Sequence, residues 1–166
     1  AGSTGAWLTF KGGVLKFRNA DLKDNECEMV ILDAVLENQF YKDAFDPDAP
    51  ANPVCFAFGR ELSEMAPHAS VTDRQHTTCA GCPQNAWGSG DKGRGKACKN
   101  VNRLAVIPWS GGTVEQIEAA EIAFAKLPVT SVKNFSAYVN NLLQKTNRPP
   151  LAFVTRMYVE RDAKTQ

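Results

Sequence analysis

Apolar and polar side chains alternate over several short stretches of this chain, and a period of two residues is typical of half-buried β-strands. Residues 8–10 and 14–17 form the clearest pair of such stretches, and Gly12 and Gly13 between them suit a tight turn. This pair predicts a β-hairpin. Residues 27–41 form a longer apolar run, in which the alternation favours one long, bent strand or two successive strands over a helix.

Residues 113–126 carry two competing signals. Thr113 and Gln116 have the spacing of a helix capping box, in which a hydroxyl and a carboxamide satisfy free backbone donors. Apolar residues alternate further on, and we prefer a strand for residues 120–127. The clearest helix begins at Thr130 and Ser131, because apolar residues then recur every three or four positions on one face. They are Val132, Phe135, Val139, Leu142 and Leu143.

The remaining pattern completes a mainly β chain with one helix. Further strands are predicted at residues 54–58, 104–107 and 151–160, and the prolines of residues 46–53 predict a loop. We therefore expect a single domain over residues 1–166, a small antiparallel β-barrel of the oligonucleotide-binding (OB) kind. Residues 60–101 lack periodicity and are predicted to be an inserted metal-binding loop. An α+β sheet is the alternative fold, because sequence alone does not fix strand pairing.

Composition is that of an ordinary globular protein, with 43% hydrophobic and 22% charged residues. No apolar run reaches the roughly 18 residues that a membrane-spanning helix needs. The first residues lack the charged and apolar regions of a secretory signal. We therefore expect a cytoplasmic protein without membrane association. The five cysteines are an odd number, which favours a metal site over a disulfide framework.

Three cysteines have the spacing of a metal-binding knuckle. Cys79 and Cys82 form a Cys-x-x-Cys pair, and Cys98 follows after fifteen intervening residues. Two thiolates in a tight turn and a third that returns from a long loop can grip one ion. Two residues are candidates for the fourth ligand: Cys55, on a predicted strand, and His76, three positions before the pair.

Zinc in a closed, structural site is the expected metal, and an iron–sulfur centre is the alternative. A metal-free or redox pair is disfavoured, because Pro83, Asn85 and Gly88 suit a turn better than the helix that accompanies a redox Cys-x-x-Cys. Neither His-x-Glu nor His-Glu-x-x-His precedes the pair, so we expect no catalytic zinc and no enzyme. Cys27 lies outside the set and is expected to be a small buried apolar residue.

The end of the loop and the residues after it are basic. Residues 92–103 contain five cations and no acid, and their glycines let the backbone approach a phosphate. Four thiolates around one zinc ion carry two net negative charges, which the five cations exceed. The alternative is that the cations only neutralise the thiolates and solvate the loop. The candidate phosphate-binding residues are Lys92, Arg94, Lys96, Lys99 and Arg103.

Trp87, five residues after the Cys-x-x-Cys pair, is the candidate for stacking on an unpaired base. Packing of its ring over the metal knuckle is the alternative. The other aromatic residues, Phe56 and Phe58 among them, are expected in the core, and His68 is expected in a loop without a special role.

These motifs resemble a phage and prophage family of zinc-bearing single-stranded DNA-binding proteins with OB-like cores. The resemblance implies four cysteine ligands, of which Cys55 is the first. Two departures are that the first 50 residues match no known pattern and that the chain has no acidic C-terminal tail of the kind that recruits replication partners. The resemblance rests on Cys79-x-x-Cys82-Pro83-x-Asn85-x-Trp87-Gly88-Ser89, Gly95-Lys96-Ala97-Cys98-Lys99 and Leu127-Pro128-x-Thr130-Ser131-x-Lys133-Asn134-Phe135.

The hypothesis from sequence is a non-enzymatic, sequence-independent single-stranded DNA-binding protein of phage replication or recombination. It would act in the cytoplasm of a bacterial host, with single-stranded DNA and replication or recombination proteins as partners. The main rival is a phage adaptor or host-factor inhibitor that binds protein through the knuckle. A metal-dependent nuclease is a second rival, disfavoured because no cluster of carboxylates and histidines accompanies the cysteines. The sequence does not set the oligomeric state.

Overall fold

The computed structural model describes residues 6–11, 13–43 and 51–160 and divides the chain into two compact units. The first unit comprises residues 1–34 and 103–166, and the second comprises Val35–Asn102. The single domain predicted for residues 1–166, with an insertion at 60–101, stays a prediction. Part of the predicted loop at 46–53, Gly12 of the predicted turn and both chain ends lie outside the described residues.

The described strands and helices give a mainly β protein with one long helix. The strands are β1 (Ala6–Lys11), β2 (Val14–Phe17), β3 (Ala20–Asp21), β4 (Glu26–Phe40), β5 (Cys55–Gly59), β6 (Lys99–Pro108), β7 (Ala123–Leu127) and β8 (Val154–Tyr158), and the helices are α1 (Val114–Glu118) and α2 (Val132–Thr146).

The sheet is mixed and open. The predicted hairpin is confirmed, with β1 and β2 antiparallel and Leu8 opposite Phe17. β1 also pairs in parallel with β7, where Leu8 lies opposite Ala125. The strand order is β3-β2-β1-β7-β6-β4-β5, and no pairing among the described strands joins its two ends. The predicted closed barrel is therefore not confirmed, because the parallel β1–β7 pairing is a long-range contact that local periodicity does not report.

The prediction of a long strand at residues 27–41 is confirmed by β4, which runs unbroken for 15 residues. Its first part pairs with β8, with Glu26 opposite Tyr158. Its last part belongs to the second unit and pairs with β5, with Phe40 opposite Cys55. One strand thus contributes hydrogen-bond donors and acceptors to both units.

Both signals in residues 113–126 correspond to real elements. The backbone N–H of Thr113 donates to Oε1 of Gln116 at 2.9 Å, which completes the capping box of α1. The helix is only five residues long, and four residues separate it from the preferred strand, β7. α2 matches the predicted helix and ends at Asn147, which adopts a left-handed conformation with φ 53°.

The core of the first unit lies between the sheet and α2, whose Phe135 and Tyr138 pack against it. Leu104 is completely buried there, because alternate residues of β6 face inward. The buried members of this core are Ala6, Leu8, Leu15, Met29, Ile31, Leu104, Val106, Ala123, Ala125 and Leu127.

The core of the second unit is much smaller. Among its described residues, the buried apolar cluster consists of Ala57, Met65 and Cys79, with Leu36 packed against it. A unit that buries so few apolar side chains needs other interactions to hold its long irregular segments. Side-chain amides and cysteines are also buried in this unit, where a larger domain core would have apolar side chains.

No helix in the part of the chain that the structure describes has the length and apolar character to cross a membrane.

We expect Leu104→Ala to lower the free energy of unfolding by about 2–5 kcal/mol, because it leaves a cavity in the core of the first unit. Leu143→Ala on α2 is the matched control: its side chain is 43% exposed, so the change is expected to be within about 0.5 kcal/mol. Chemical denaturation of both variants measures the difference. Equal losses would mean that Leu104 does not belong to the core.

Candidate metal centre and basic loop

Four cysteines of the second unit line one cavity of about 20 Å³, which is room for one small ion or water molecule. Cys55 begins β5, Cys79 and Cys82 lie in the turn that follows the irregular segment, and Cys98 immediately precedes β6. The structure therefore brings together all four residues that the sequence nominated as metal ligands.

Backbone hydrogen bonds shape the Cys-x-x-Cys turn. The N–H of Cys79 donates to the carbonyl of Met65 at 2.8 Å, and that of Cys82 donates to the carbonyl of Cys79 at 3.4 Å. Pro83 then begins a single 3-10 turn that ends at Asn85. The pair is thus followed by a short turn rather than by the α-helix that accompanies a redox Cys-x-x-Cys.

Burial and neighbouring thiols raise the pKa of two of the cysteines, Cys79 and Cys98. Burial raises the pKa of Cys98 to about 12, and the neighbouring Cys79, Cys82 and Cys55 contribute in the same direction. Burial also raises the pKa of Cys79, and Cys55 and Cys82 add to the effect. Negative charges in this cavity would repel one another, so without a cation Cys79 and Cys98 favour their neutral form. A bound dication reverses that preference, because it attracts every thiolate.

Two donors from β4 act against this repulsion. The Asn38 amide lowers the pKa of Cys79, and the backbone of Gln39 lowers that of Cys98, although burial outweighs both. Nδ2 of Asn38 is buried and makes no formed hydrogen bond with any described atom. A buried amide N–H near a sulfur is a donor suited to a metal-bound thiolate, because such anionic sulfur accepts hydrogen bonds from the surrounding shell.

This arrangement fits a thiolate-bound metal without presenting a finished site. All five cysteines are free, and no group of three or more His, Cys, Asp or Glu among the described residues is arranged so that it could hold a metal ion. The four thiols that line the cavity are nevertheless soft donors, the type that zinc and iron prefer and that magnesium and calcium do not. The unpartnered Asn38 amide points to the same kind of occupant.

His76, the other candidate for the fourth ligand, also lines the cavity. Its ring is exposed, and Nδ1 lies 3.1 Å from the carbonyl oxygen of Thr78 and 3.3 Å from its backbone nitrogen. Nδ1 is therefore engaged by the local turn. Cys55 lies close enough to Cys79 and Cys98 to raise the pKa of both.

The glycine-rich loop between Cys82 and Cys98 is closed by its own backbone. The carbonyl of Gly95 accepts from the N–H groups of Gly88 at 2.7 Å and Gly90 at 3.3 Å. Gly90 must lack a side chain, because a Cβ there would lie 2.1 Å from the carbonyl oxygen of Arg94. Ser89 joins the two arms of the loop, since its Oγ accepts from the N–H of Ala97 at 3.0 Å.

The five predicted phosphate-binding cations fall into two groups. Lys92, Arg94 and Lys99 are exposed, and no described residue forms a salt bridge with them. Lys96 is half-buried and donates to two asparagine side chains. Arg103 belongs to the first unit, where its guanidinium lies 5.2 Å from the centroid of the Trp7 ring.

The inserted loop ends earlier than the predicted boundary at residue 101, because β6 already begins at Lys99. Lys99 therefore lies on a strand. Trp87 remains in the loop with its side chain 82% exposed, and Nζ of Lys96 lies 5.8 Å from its ring centroid. Packing of this ring over the knuckle, the alternative considered from sequence, does not occur in this structure.

An aromatic cluster lies on β5, where the sequence predicted core residues. The His68 ring stacks on Phe56 with centroids 5.2 Å apart, and Phe58 contacts both rings. Phe58 is 38% exposed, so it is not the fully buried residue that was expected. Phe56 and Phe58 lie opposite Gln39 and Glu37 on β4, and both of these polar residues are buried. The cluster therefore helps to shield a buried polar pair.

Sequence reasoning missed the asparagines that surround the knuckle. Nδ2 of Asn85 donates to the carbonyl of Cys79 at 2.9 Å, and Nδ2 of Asn100 donates to Oδ1 of Asn38 at 2.7 Å. One signal was available: Asn38 and Gln39 stand near the end of an otherwise apolar run. Buried amides in such a run call for specific partners.

No protein-family model matches this chain, and neither the curated proteins nor the solved structures contain a significant match.

Cys27, the fifth cysteine, is half-buried against the core of the first unit. Burial, with a smaller contribution from the Glu26 carboxylate, raises the pKa of its thiol to about 11. We expect iodoacetamide to alkylate it at pH 7.5 at least about 10-fold more slowly in the folded protein than in urea, because less thiolate is present. The rate in the folded protein should keep rising up to pH 11.

Mass spectrometry of the Cys27 peptide over a pH series measures both rates. The same cysteine in the unfolded chain is its own control. A folded-state rate that levels off near pH 9 would contradict the raised pKa.

Proposed function

We propose that this chain is a non-enzymatic, zinc-bearing protein that binds single-stranded DNA without sequence preference. The observation that carries the proposal is the exposure of Trp87, at 82%, and of the cations Lys92, Arg94 and Lys99 in the segment that runs from Cys82 to the residue after Cys98, two of the cysteines that line the cavity. A cationic loop supplies sites for phosphates, and an exposed indole supplies a face for a base.

Zinc is the proposed metal, held by Cys55, Cys79, Cys82 and Cys98. Its support is the shared cavity, the soft donor set and the buried Asn38 amide beside Cys79. Bound zinc would hold together β5, the Cys-x-x-Cys turn and the start of β6 in a unit with a small apolar core. Its role is therefore structural, and the iron–sulfur alternative is distinguished by its visible absorption.

Strand binding would depend on the exposed cations more than on the whole predicted set. Lys92, Arg94 and Lys99 are placed to contact phosphates and release counterions. Lys96 contributes charge, but its hydrogen bonds to neighbouring asparagines fix its position. Arg103 lies over Trp7 in the other unit and is not needed for the proposal.

The phage setting rests on the sequence resemblance. It suggests an OB-like core, a role in replication or recombination, the cytoplasm of a bacterial host and replication or recombination proteins as partners. The rival is an adaptor or inhibitor that binds another protein through the knuckle. Its support is the same exposed Trp87, since indoles are enriched at protein interfaces.

We expect the purified protein to contain about one zinc ion per chain. Cys79→Ser and Cys98→Ser should each abolish stoichiometric zinc binding, because each substitution removes a thiolate from the closed ligand set. Cys27→Ser is the matched control and should keep full zinc content. Elemental analysis of folded protein measures the stoichiometry, and Cys55→Ser compared with His76→Ala identifies the fourth ligand. Folded protein that never holds a metal would refute the zinc site.

Binding of a fluorescent dT oligomer should weaken steeply as salt rises. Lys92→Ala, Arg94→Ala and Lys99→Ala combined should reduce the magnitude of the slope of log K against log salt by about 2, because each lost phosphate contact removes about 0.7. Trp87→Ala should cost about 1–3 kcal/mol of binding free energy. Fluorescence anisotropy at several salt concentrations measures both effects.

The matched control is the triple variant Lys133→Ala, Lys145→Ala and Arg148→Ala, which removes the same charge from exposed positions on and just after α2. It should bind the oligomer as the parent does. Equal weakening by the two triple variants would mean that only net charge matters. Absent binding by folded, zinc-loaded parent would favour the protein-binding rival, and strand cleavage with added Mg²⁺ would favour a nuclease.

A further inference from the structure

Lys96 differs from the other cations of the basic region. Its ammonium group donates to Oδ1 of Asn100 at 3.0 Å and to Oδ1 of Asn85 at 3.3 Å, and it lies 5.8 Å from the Trp87 ring centroid. An ammonium has three donors, so two are used within the protein. Lys96 thus connects the exposed Trp87 indole to two asparagines. These contacts hold its ammonium group in place, so it is not free to move toward a phosphate.

The first asparagine leads to a thiol. Because Oδ1 of Asn100 accepts from Lys96, its Nδ2 is directed to Oδ1 of Asn38, at 2.7 Å. That contact fixes the orientation of the Asn38 amide. Its Nδ2 is therefore on the buried side, beside Cys79. Each amide has one acceptor and one donor end, so the orientation at one residue sets that of the next.

The second asparagine leads back to the same cysteine. Oδ1 of Asn85 accepts from Lys96, and its Nδ2 donates to the backbone carbonyl of Cys79 at 2.9 Å. Lys96, Asn100, Asn38, Cys79 and Asn85 therefore lie in a polar ring that is formed at every link except the one between Asn38 and Cys79. All five lie in the second unit. One member of this ring, Cys79, is a candidate metal ligand, and another, Lys96, contacts the Trp87 ring.

One position in the ring is incomplete. Nδ2 of Asn38 is buried and has no formed hydrogen bond among the described atoms, although Asn38 is only 3% exposed. A neutral thiol is a weak acceptor, whereas a metal-bound thiolate is an anionic one. Metal binding at Cys79 would make the sulfur beside this amide a stronger acceptor and complete the ring.

We propose that Asn38, Asn100 and Lys96 couple metal occupancy at Cys79 to the position of Trp87, so that zinc controls how the basic loop is presented to a single strand. The proposal rests on the proposed function: its first half needs the proposed zinc site, and its second half also needs the proposed strand binding. The coupling between zinc and Trp87 does not require that any nucleic acid binds. Such coupling is reciprocal: the factor by which zinc raises the affinity for a strand that contacts Trp87 is also the factor by which that strand raises the affinity for zinc.

The first measurement is zinc affinity, by competition with a chromophoric chelator. Asn38→Leu should weaken Zn²⁺ binding about 10- to 100-fold, because it removes a donor to a ligating sulfur. Asn102→Leu is the matched control: Asn102 is also a buried asparagine of the second unit with an unpartnered Oδ1, but it is not in the ring. It should change the affinity less than about 3-fold.

The second measurement follows Trp87 directly. The chain has three tryptophans, so 5-fluorotryptophan labelling gives three ¹⁹F resonances, and Trp87→Phe assigns the one that disappears. Zn²⁺ added to the metal-free, full-length parent should shift the Trp87 resonance. In Lys96→Met, which keeps the apolar stem but loses the ammonium, that shift should be lost while zinc still binds. Lys99→Met, an exposed neighbour that is not in the ring, should respond as the parent does.

The outcomes separate the two proposals. A Trp87 resonance that ignores Zn²⁺ in the parent, an Asn38→Leu variant with parental zinc affinity, or a parent that binds no Zn²⁺ overturns the coupling. If Asn38→Leu does not fold, the Lys96→Met spectrum decides alone. Zinc-dependent movement of Trp87 without dT binding supports the coupling and refutes the DNA-binding function. Binding of dT with equal affinity in the presence and absence of zinc refutes the regulatory half.

Discussion

The second unit depends on the confinement of four thiols in one small cavity. Its apolar cluster contains few buried side chains, whereas Cys55, Cys79, Cys82 and Cys98 come from three separate segments and meet at one point. Without a cation, burial and the neighbouring thiols raise the pKa of Cys79 and Cys98, so these two thiols favour their protonated form. A dication would turn the same crowding into attraction, so one physical feature both limits the metal-free state and favours the metal-bound one.

Around the thiols, hydrogen-bonded side-chain amides hold neighbouring residues in position, as apolar packing does in the first unit. They fix the direction of their neighbours, because each amide has a distinct donor and acceptor end. The loop beyond them is held by backbone hydrogen bonds to Gly95 and by the Oγ of Ser89. The conformation of the loop therefore does not depend on its exposed cations. The exception is Lys96, which belongs to the network that supports the loop.

Local sequence patterns predicted the elements and failed at the contacts between them. A period of two residues found β4 as one long strand, and a period of three to four found α2. The parallel pairing of β1 with β7 joins strands over 100 residues apart and opens the expected barrel into a mixed sheet. Cysteine spacing identified Cys79, Cys82 and Cys98, whereas Cys55 and His76 stayed alternatives for a fourth ligand and both line the cavity. Asn38 and Asn100 were invisible, because their contact spans 62 residues and depends on how β4 and β6 are placed.

Lys92 has a backbone φ of 53°, in the left-handed region where a side chain is strained and glycine or asparagine is favoured. Its neighbour Gly93, at φ 72°, meets the same demand at no steric cost. A glycine in place of the lysine would relax the loop and also erase a cation. Backbone strain and positive charge are thus coupled at this one residue, so substitutions that stabilise the loop here would remove a cation that the proposed nucleic-acid binding would use.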